Sequence, residues 1–342
     1  MNTKKLIDWY HQNKRDLPWR NTKEPYIVWL SEIILQQTRV AQGLPYFQKF
    51  IAQYPTIHDL AQAGEQEVLK LWQGLGYYSR ARNLHYTARD IVKNYNGKFP
   101  STYKELLRLK GVGEYTAAAI ASFCYNEPVP VIDGNVYRVL SRLKGIETPV
   151  NTSEGKKIFK ETALKSIDKK HPADYNQAIM EFGALQCVPA NPSCKSCPLQ
   201  DECVAYQTGK VNELPVKLPR VKVKKREMHY FIVRYNDQII LQKRQGKDIW
   251  KNLYELPLIE IEEKRKLNDA DFKKLYQQFD IEPAKPPRFL QKIRHKLTHR
   301  DLEIHFWEVI SQKPPNQSIS IHELKIYPMP VVIAKFLDNY NL

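Results

Sequence analysis

Four of the chain's five cysteines fall within seventeen residues, "CVPANPSCKSCPLQDEC", at Cys187, Cys194, Cys197 and Cys203. Thiols at the spacing Cys-x6-Cys-x2-Cys-x5-Cys can close disulfides, hold a structural zinc ion or ligate an iron–sulfur cluster. The first residues, "MNTKKLIDWYHQNKRD", are charged and hold no apolar run of signal-peptide length. No run anywhere reaches the roughly 20 apolar residues that span a bilayer. A soluble, cytoplasmic chain without membrane attachment is expected, and in a reducing compartment clustered thiols bind metal more often than they pair. Spacing alone does not decide between zinc and iron.

Two carboxylates stand in settings that chemistry could use. Glu32, in "WLSEIILQQT", interrupts an otherwise apolar helical pattern; alone it reads as a surface residue of an amphipathic helix. Asp133, in "VPVIDGNVYRVLSRL", follows an apolar run and precedes Gly134, Asn135 and a new helical pattern. It reads at least as a helix cap, whose carboxylate stays ionised beside the positive helix end.

The elements that would position these groups follow from the patterning. Residues 1 to about 205 read as helical, with apolar residues at helical spacing between Ile27 and Val40. In "FPSTYKELLRLKGVGEYTAAAIASFC", Thr102 stands three residues before Glu105, a capping box that opens a helix. That helix runs into Gly111-Val112-Gly113 and an Ala-rich helix follows, forming a helix–hairpin–helix. Gly-x-Gly permits close backbone approach, and the free N–H groups of the following helix can face a phosphate oxygen. Such a contact positions DNA without reading its sequence.

Residues 206–227, with "VKLPRVKVKKRE", read as a basic linker. Residues 228–342 read as an α+β domain. "MHYFIVRYNDQIILQKRQ" supplies two strands about a turn at Asn236-Asp237, "LEIHFWEVI" alternates as a half-buried strand does, and "MPVVIAKFLDNY" closes the chain as a helix. The 342 residues suffice for two domains, and 42% hydrophobic content supports a sizeable core. The formal charge of +16, from 53 Lys plus Arg against 37 Asp plus Glu, points to a polyanionic partner such as nucleic acid.

"LKGVGEYTAAAI", then "VIDGNV", then the four-cysteine pattern, together resemble the helix–hairpin–helix DNA glycosylase superfamily. "RDLPWR", "VWLSEIILQQTRV", "WQGLGYYSRARNLH" and "YNQAIMEFGALQC" are similar to its MutY adenine DNA glycosylase branch. The resemblance covers residues 5 to 205. It implies a [4Fe-4S] cluster on Cys187, Cys194, Cys197 and Cys203; with Lys195 and Pro198 between the second and fourth of them, the small loop (187–203) can also present positive charge to DNA. Cys124, on the hairpin's second helix, reads as core.

The resemblance further implies a base-excision-repair enzyme that hydrolyses the N-glycosidic bond of adenine mispaired with 8-oxoguanine or guanine in duplex DNA. Such a reaction needs an acid for the leaving base and negative charge near an oxocarbenium-like sugar. Glu32 would be the general acid, with its pKa raised by burial. Asp133 would stabilise the sugar, Asn135 would orient water or the carboxylate, and Tyr115 would lie near the sugar. A related endonuclease branch has a lysine at the position of Tyr115 and cuts the strand. Tyrosine cannot form a Schiff base, so a monofunctional enzyme is expected. The adenine must leave the duplex to be reached. Gln37, Leu75 and Tyr77 would fill the gap, Trp19 and Arg20 would line the base pocket, and Gly111 and Gly113 would hold phosphate.

The C-terminal region, with "DIWKNLYELPLIE", resembles the Nudix-like domain that accompanies this family. The segment "IEEKRKLNDAD" lacks the Gly, Glu and Arg-Glu-x-x-Glu-Glu array of a Nudix hydrolase, so pyrophosphate hydrolysis is not expected. Leu297-Thr298-His299 stands where relatives carry a Phe-Ser-His loop for reading 8-oxoguanine, and here the aromatic is lost. Lys110 replaces a proline found in many relatives and adds a cation near a phosphate. Two rival readings are a glycosylase for another base, against which Glu32 and Tyr115 stand, and a non-catalytic DNA-binding module with a structural or redox-sensing cluster. A monomer associated with the nucleoid is expected.

Overall fold

The computed structural model of the chain describes residues 1–219, 223–261 and 265–340. Arg220 to Lys222 of the basic linker and Glu262 to Lys264 of the segment compared with the Nudix array lie outside the described residues. Contacts divide the chain into two compact units, Met1–Gln62 with Asn83–Pro219 and Ala63–Arg82 with Arg220–Leu342. Among the described residues no helix is long and apolar enough to cross a membrane.

The first unit is all-helical. Its leading helices are α1 (Thr3–Asn13), α2 (Pro25–Leu35), α3 (Val40–Gln53) and α4 (Ile57–Gln62). After α5 (Glu65–Leu71), which belongs to the second unit, come α6 (Ser79–Asn94, its residues up to Arg82 also in the second unit), α7 (Tyr103–Leu106), α8 (Glu114–Tyr125), α9 (Gly134–Lys144), α10 (Ser153–Ser166), α11 (Pro172–Leu185) and α12 (Val204–Gln207). Every residue of α2 from Val28 to Ile34 is buried, as expected of an interior helix that is apolar all round. The helical spacing read from Ile27 to Val40 is split in the structure. Leu35 ends α2, Gln37 takes φ +57°, and Val40 opens α3, so the last apolar position belongs to a new helix.

Small side chains let α8 approach α2 closely, since Ala117 to Ala121 are all buried. Thr102 caps α7 as its capping box predicts, accepting from the Glu105 N–H, but α7 lasts a single turn. A second core joins α1, α9, α10 and α11 through Leu6, Tyr10, Val136, Leu140, Phe159 and Phe182. Cys187, Cys197 and Cys203 pack against it, which seats the cysteine loop on a rigid base.

The second unit holds a six-stranded sheet: β1 (Lys224–Tyr235), β2 (Gln238–Ile240), β5 (Leu258–Ile261), β6 (Arg288–Lys296), β7 (Arg300–Ile310) and β8 (Ser318–Ser320). β3 (Gln242–Lys243) and β4 (Tyr254–Glu255) form a separate pair. The order is β6-β7-β1-β2-β8, with β5 also on β1; β1 and β7 are parallel and the other pairs antiparallel. Side-chain alternation along the strands gives two faces. Helix α13 (Asp269–Phe279) covers Phe231, Val233 and Val309 with Leu275 and Phe279. Helix α14 (Val331–Asn339) takes part in the other face, stacking Phe336 on Phe306 at 3.7 Å and 4°. The turn expected at Asn236-Asp237 joins β1 to β2, with Asn236 at φ +49°. β1 begins at Lys224, so four residues read as linker are strand.

The segment Ala63–Arg82 is tied into this unit by polar contacts at the ends of long side chains. Asn252 donates to Glu65 at 2.6 Å, Lys70 donates to the Tyr327 carbonyl at 3.0 Å, and the Met329 N–H donates to Gln73 at 3.0 Å.

Candidate active site and cysteine loop

Glu32, Tyr115, Asp133, Asn135, Trp19 and Arg20, which the sequence scatters over more than a hundred positions, line one cleft of about 190 Å³ in the first unit. Glu32 is supplied by the middle of buried α2 and is 6% exposed. An ionised carboxyl there has lost its water. Burial pushes its pKa up to about 7, with the charge of Asp133 adding to the rise; a hydrogen bond from Tyr115 and the charge of Arg20 oppose it. The Tyr115 hydroxyl, at the start of α8, is held far above its ordinary pKa by burial and by the two carboxylates, so it stays protonated.

Asp133 caps α9. Its carboxylate accepts from the Val136 N–H at 2.8 Å and from Asn135 Nδ2 at 2.8 Å. Burial raises its pKa, while these two donors and the nearby Arg138 charge pull it back toward ionisation. The loop leading to it is pinned by Asn176 of α11, wholly buried, which accepts from the Val131 N–H at 3.1 Å and donates to the Val129 carbonyl at 2.9 Å. Asn135 in turn accepts from Arg138 Nη2 at 2.9 Å, and Arg138 donates to the carbonyls of Gly183 and Cys187 at 2.6 and 2.7 Å. A continuous set of hydrogen bonds thus joins Asp133 to the first residue of the cysteine loop.

Sequence reading missed Glu181. Only 1% exposed, it receives Arg15 and Arg20 on both carboxylate oxygens, at 2.6–2.9 Å. Burial alone would raise its pKa, but the bonds from the two arginines outweigh that and hold it at about 2. Its signal lay in "AIMEFGAL", an acidic residue inside an apolar helical stretch, the same pattern that singled out Glu32. Trp19 forms part of the cleft wall and meets Phe47 edge-on at 5.0 Å.

At the hairpin, Gly111 has φ +79°, and a Cβ there would come 2.7 Å from Asn83 Cβ. Gly113 is the N-cap of α8, at φ −90° with open space beside it. Lys110 lies over the Tyr86 ring at 4.1 Å, and Tyr86 is 52% exposed. Gln37 is exposed at a positive φ on the first unit. Leu75 and Tyr77 belong to the second unit, where Leu75 is buried and Tyr77 is 44% exposed at φ +47°.

Leu297, Thr298 and His299 form the tip of the β6–β7 hairpin, with Thr298 and His299 exposed. Thr298 Oγ1 and the Tyr77 hydroxyl share a hydrogen bond, so two residues 221 positions apart meet within this unit.

Cys187, Cys194, Cys197 and Cys203 line a single pocket, and none is in a disulfide. Arg142, 2% exposed, donates to Cys187 Sγ at 3.4 Å and to the carbonyls of Val188 and Pro189 at 2.8 and 2.9 Å. Four converging thiols beside a buried cation suit a metal centre, because the ligands bind as anions. Lys195 is exposed on the loop. Cys124 lies apart from it on α8; it is half-buried rather than the core residue expected, and desolvation pushes its thiol up to about 12.

This fold and cleft define a class. Residues 30–165 match the model for HhH-GPD superfamily base excision DNA repair proteins, and residues 229–339 match the NUDIX domain model. A thermostable thymine-DNA glycosylase of known structure is 28% identical with a TM-score of 0.56, covering 60% of this chain and 95% of that one. Adenine DNA glycosylase of Buchnera aphidicola subsp. Baizongia pistaciae is 35% identical over 310 residues, 90% of this chain and 86% of the relative. The human adenine DNA glycosylase is 43% identical over 219 residues, 61% of this chain and 40% of the human one. The chain belongs to the adenine DNA glycosylase family, a family of enzymes.

Proposed function

We propose that the chain removes adenine mispaired with 8-oxoguanine or guanine from duplex DNA by hydrolysing its N-glycosidic bond, leaving an abasic site. The observation that carries this reading is the pairing in one cleft of a buried carboxyl titrating at about 7, Glu32, with a capped carboxylate, Asp133. Glu32 gives its proton to a ring nitrogen of the extruded adenine as the base–sugar bond breaks. Asp133, kept anionic by the Val136 N–H and Asn135, stabilises the cationic sugar until water adds to it and loses a proton. Tyr115 has no amine with which to form a Schiff base, so the strand stays intact.

Glu181 fixes Arg20 in the cleft, where its guanidinium can meet the base. Gly111, Gly113 and the start of α8 take a phosphate, and exposed Gln37 enters the gap left by the adenine. In the second unit the exposed Tyr77 meets DNA, whereas Leu75 is buried and has no free face to insert. The exposed tip Leu297-Thr298-His299 reads the opposite base, with the hydroxyl and imidazole in place of an aromatic wedge. Cys187, Cys194, Cys197 and Cys203 hold a [4Fe-4S] cluster, which when bound ties the loop to the core and takes no part in bond cleavage. The enzyme acts as a monomer in the cytoplasm, associated with the nucleoid.

Single-turnover adenine release from duplexes carrying adenine opposite 8-oxoguanine, guanine or thymine tests this. Fast release opposite 8-oxoguanine and none opposite thymine is expected. DNA binding without release from any duplex would replace it with a non-catalytic DNA-binding role.

A further inference from the structure

One face of the second unit's sheet gathers side chains that this reaction does not use. β1 and β7 run parallel and in register, pairing Glu227 with Glu303, His229 with His305 and Phe231 with Trp307. Alternation puts all six on the same face. Phe231 and Trp307 pack with α13. The histidines lie one step nearer the strand starts, with side chains 5% and 15% exposed, and the carboxylates open to solvent at 33% and 43%.

The donor atoms are close. His229 Nε2 lies 3.1 Å from Glu227 Oε1, while His305 Nε2 lies 3.6 Å from that oxygen and 3.2 Å from Glu303 Oε1. The single ligand atoms of Glu227, His229 and His305 all fall within 4.8 Å of one another. Metal–ligand bonds of 2.0–2.2 Å in a tetrahedron put donors roughly 3.3–3.6 Å apart, close to the 3.1 and 3.6 Å that separate Glu227 Oε1 from the two imidazoles. Two imidazoles and one carboxylate suit zinc rather than magnesium or calcium, which take oxygen alone, and leave a fourth position for water. We propose that Glu227, His229 and His305 form a binding site for a divalent transition-metal ion, zinc in the first place, bridging β1 and β7.

Two neighbours set its strength. Trp307 Nε1–H donates to His229 Nδ1 at 3.1 Å, which leaves the proton of neutral His229 on Nε2, facing Glu227. Metal on Nε2 requires that proton to leave and Nδ1 to carry one instead, so the indole must turn away. Lys292 pairs with Glu303 at 2.6 Å, which occupies that carboxylate and sets a positive charge beside the site. Both neighbours weaken the site. Because β7 begins at Arg300, directly after the Leu297-Thr298-His299 tip, a bound ion would brace the strand that carries that tip.

The test is isothermal titration of zinc ions into the full chain with its cysteine-loop cluster loaded, at mildly alkaline pH. One site is expected, weakened about tenfold or more in His305→Ala and in the near-isosteric Glu227→Gln. It should tighten about five- to tenfold in Trp307→Phe, which frees the Nδ1 position. No uptake by the unsubstituted chain overturns the proposal. So does uptake that survives both ligand substitutions, as zinc entering the cysteine loop would. Neither result depends on whether the chain excises adenine.

Discussion

Arg20 meets Glu181 end-on, with Nη1 2.9 Å from Oε1 and Nη2 2.6 Å from Oε2, while Arg15 takes the same two oxygens side-on through Nε and Nη2. One buried carboxylate therefore positions two cations at the edge of the cleft. The pairing is bidentate, so it fixes the plane of the Arg20 guanidinium as well as its place.

Glu181→Gln is expected to destabilise the first unit by about 3–5 kcal/mol, because it leaves two guanidinium groups without their anion. The pH dependence carries the same signature. The folded-state pKa of about 2 lies below the ordinary 4.5, so the stabilisation is complete above the unfolded value and is lost as pH falls from 4.5 toward 2. Thermal unfolding followed by circular dichroism across that range should show a steeper acid loss in the unsubstituted chain than in the variant.

Glu32→Gln should abolish adenine release, by about 10²–10⁴-fold, while duplex binding persists. The same change should stabilise the fold at high pH. The Glu32 pKa is raised from 4.5 to about 7, so folding favours its protonated form, and that contribution is lost as pH rises from 4.5 through 7. The interval corresponds to about 3 kcal/mol carried by ionised Glu32 and absent from glutamine. A melting temperature at about pH 8 that falls rather than rises in the variant would count against the buried placement of this carboxyl.

The rate of the chemical step should decline above a pH of about 7, where Glu32 loses its proton. Single-turnover rates against pH should then fall about tenfold per unit on the alkaline side. A flat alkaline limb would remove Glu32 from the role of acid.

Gly111→Ala should cost about 1–3 kcal/mol, because the added Cβ meets Asn83 Cβ at 2.7 Å and the residue must hold φ +79°. Gly113→Ala has open space and a negative φ. It should leave stability within about 0.5 kcal/mol and weaken DNA binding only if the phosphate needs bare backbone there. Comparing melting temperatures and duplex affinities of the two variants separates hairpin geometry from phosphate contact.

Much of the site was legible in the chain before any fold was drawn. The cysteine spacing, the Thr102 cap, Gly-x-Gly and the Asp133 helix start are local patterns, and local backbone geometry forms them wherever they occur. Helix and strand periodicity also separated the helical half from the α+β half. Periodicity could not see the break at Gln37, because Val40 happens to continue the apolar phase of α2 from the next helix. It could not see Glu181 as the holder of Arg20, since a charged residue in an apolar helix looks alike whether it takes a proton or an arginine.

By itself, then, the sequence determined which residues were available and which elements carry them. Only the tertiary structure decided their environment. Glu32 and Glu181 are both glutamates on buried helices, yet one titrates at about 7 and the other at about 2. Burial raises both; at Glu181 the hydrogen bonds from two arginines outweigh it, while at Glu32 the bond from Tyr115 and the charge of Arg20 do not. Desolvation and Coulomb interactions depend on distances in space, and no spacing along the chain encodes them.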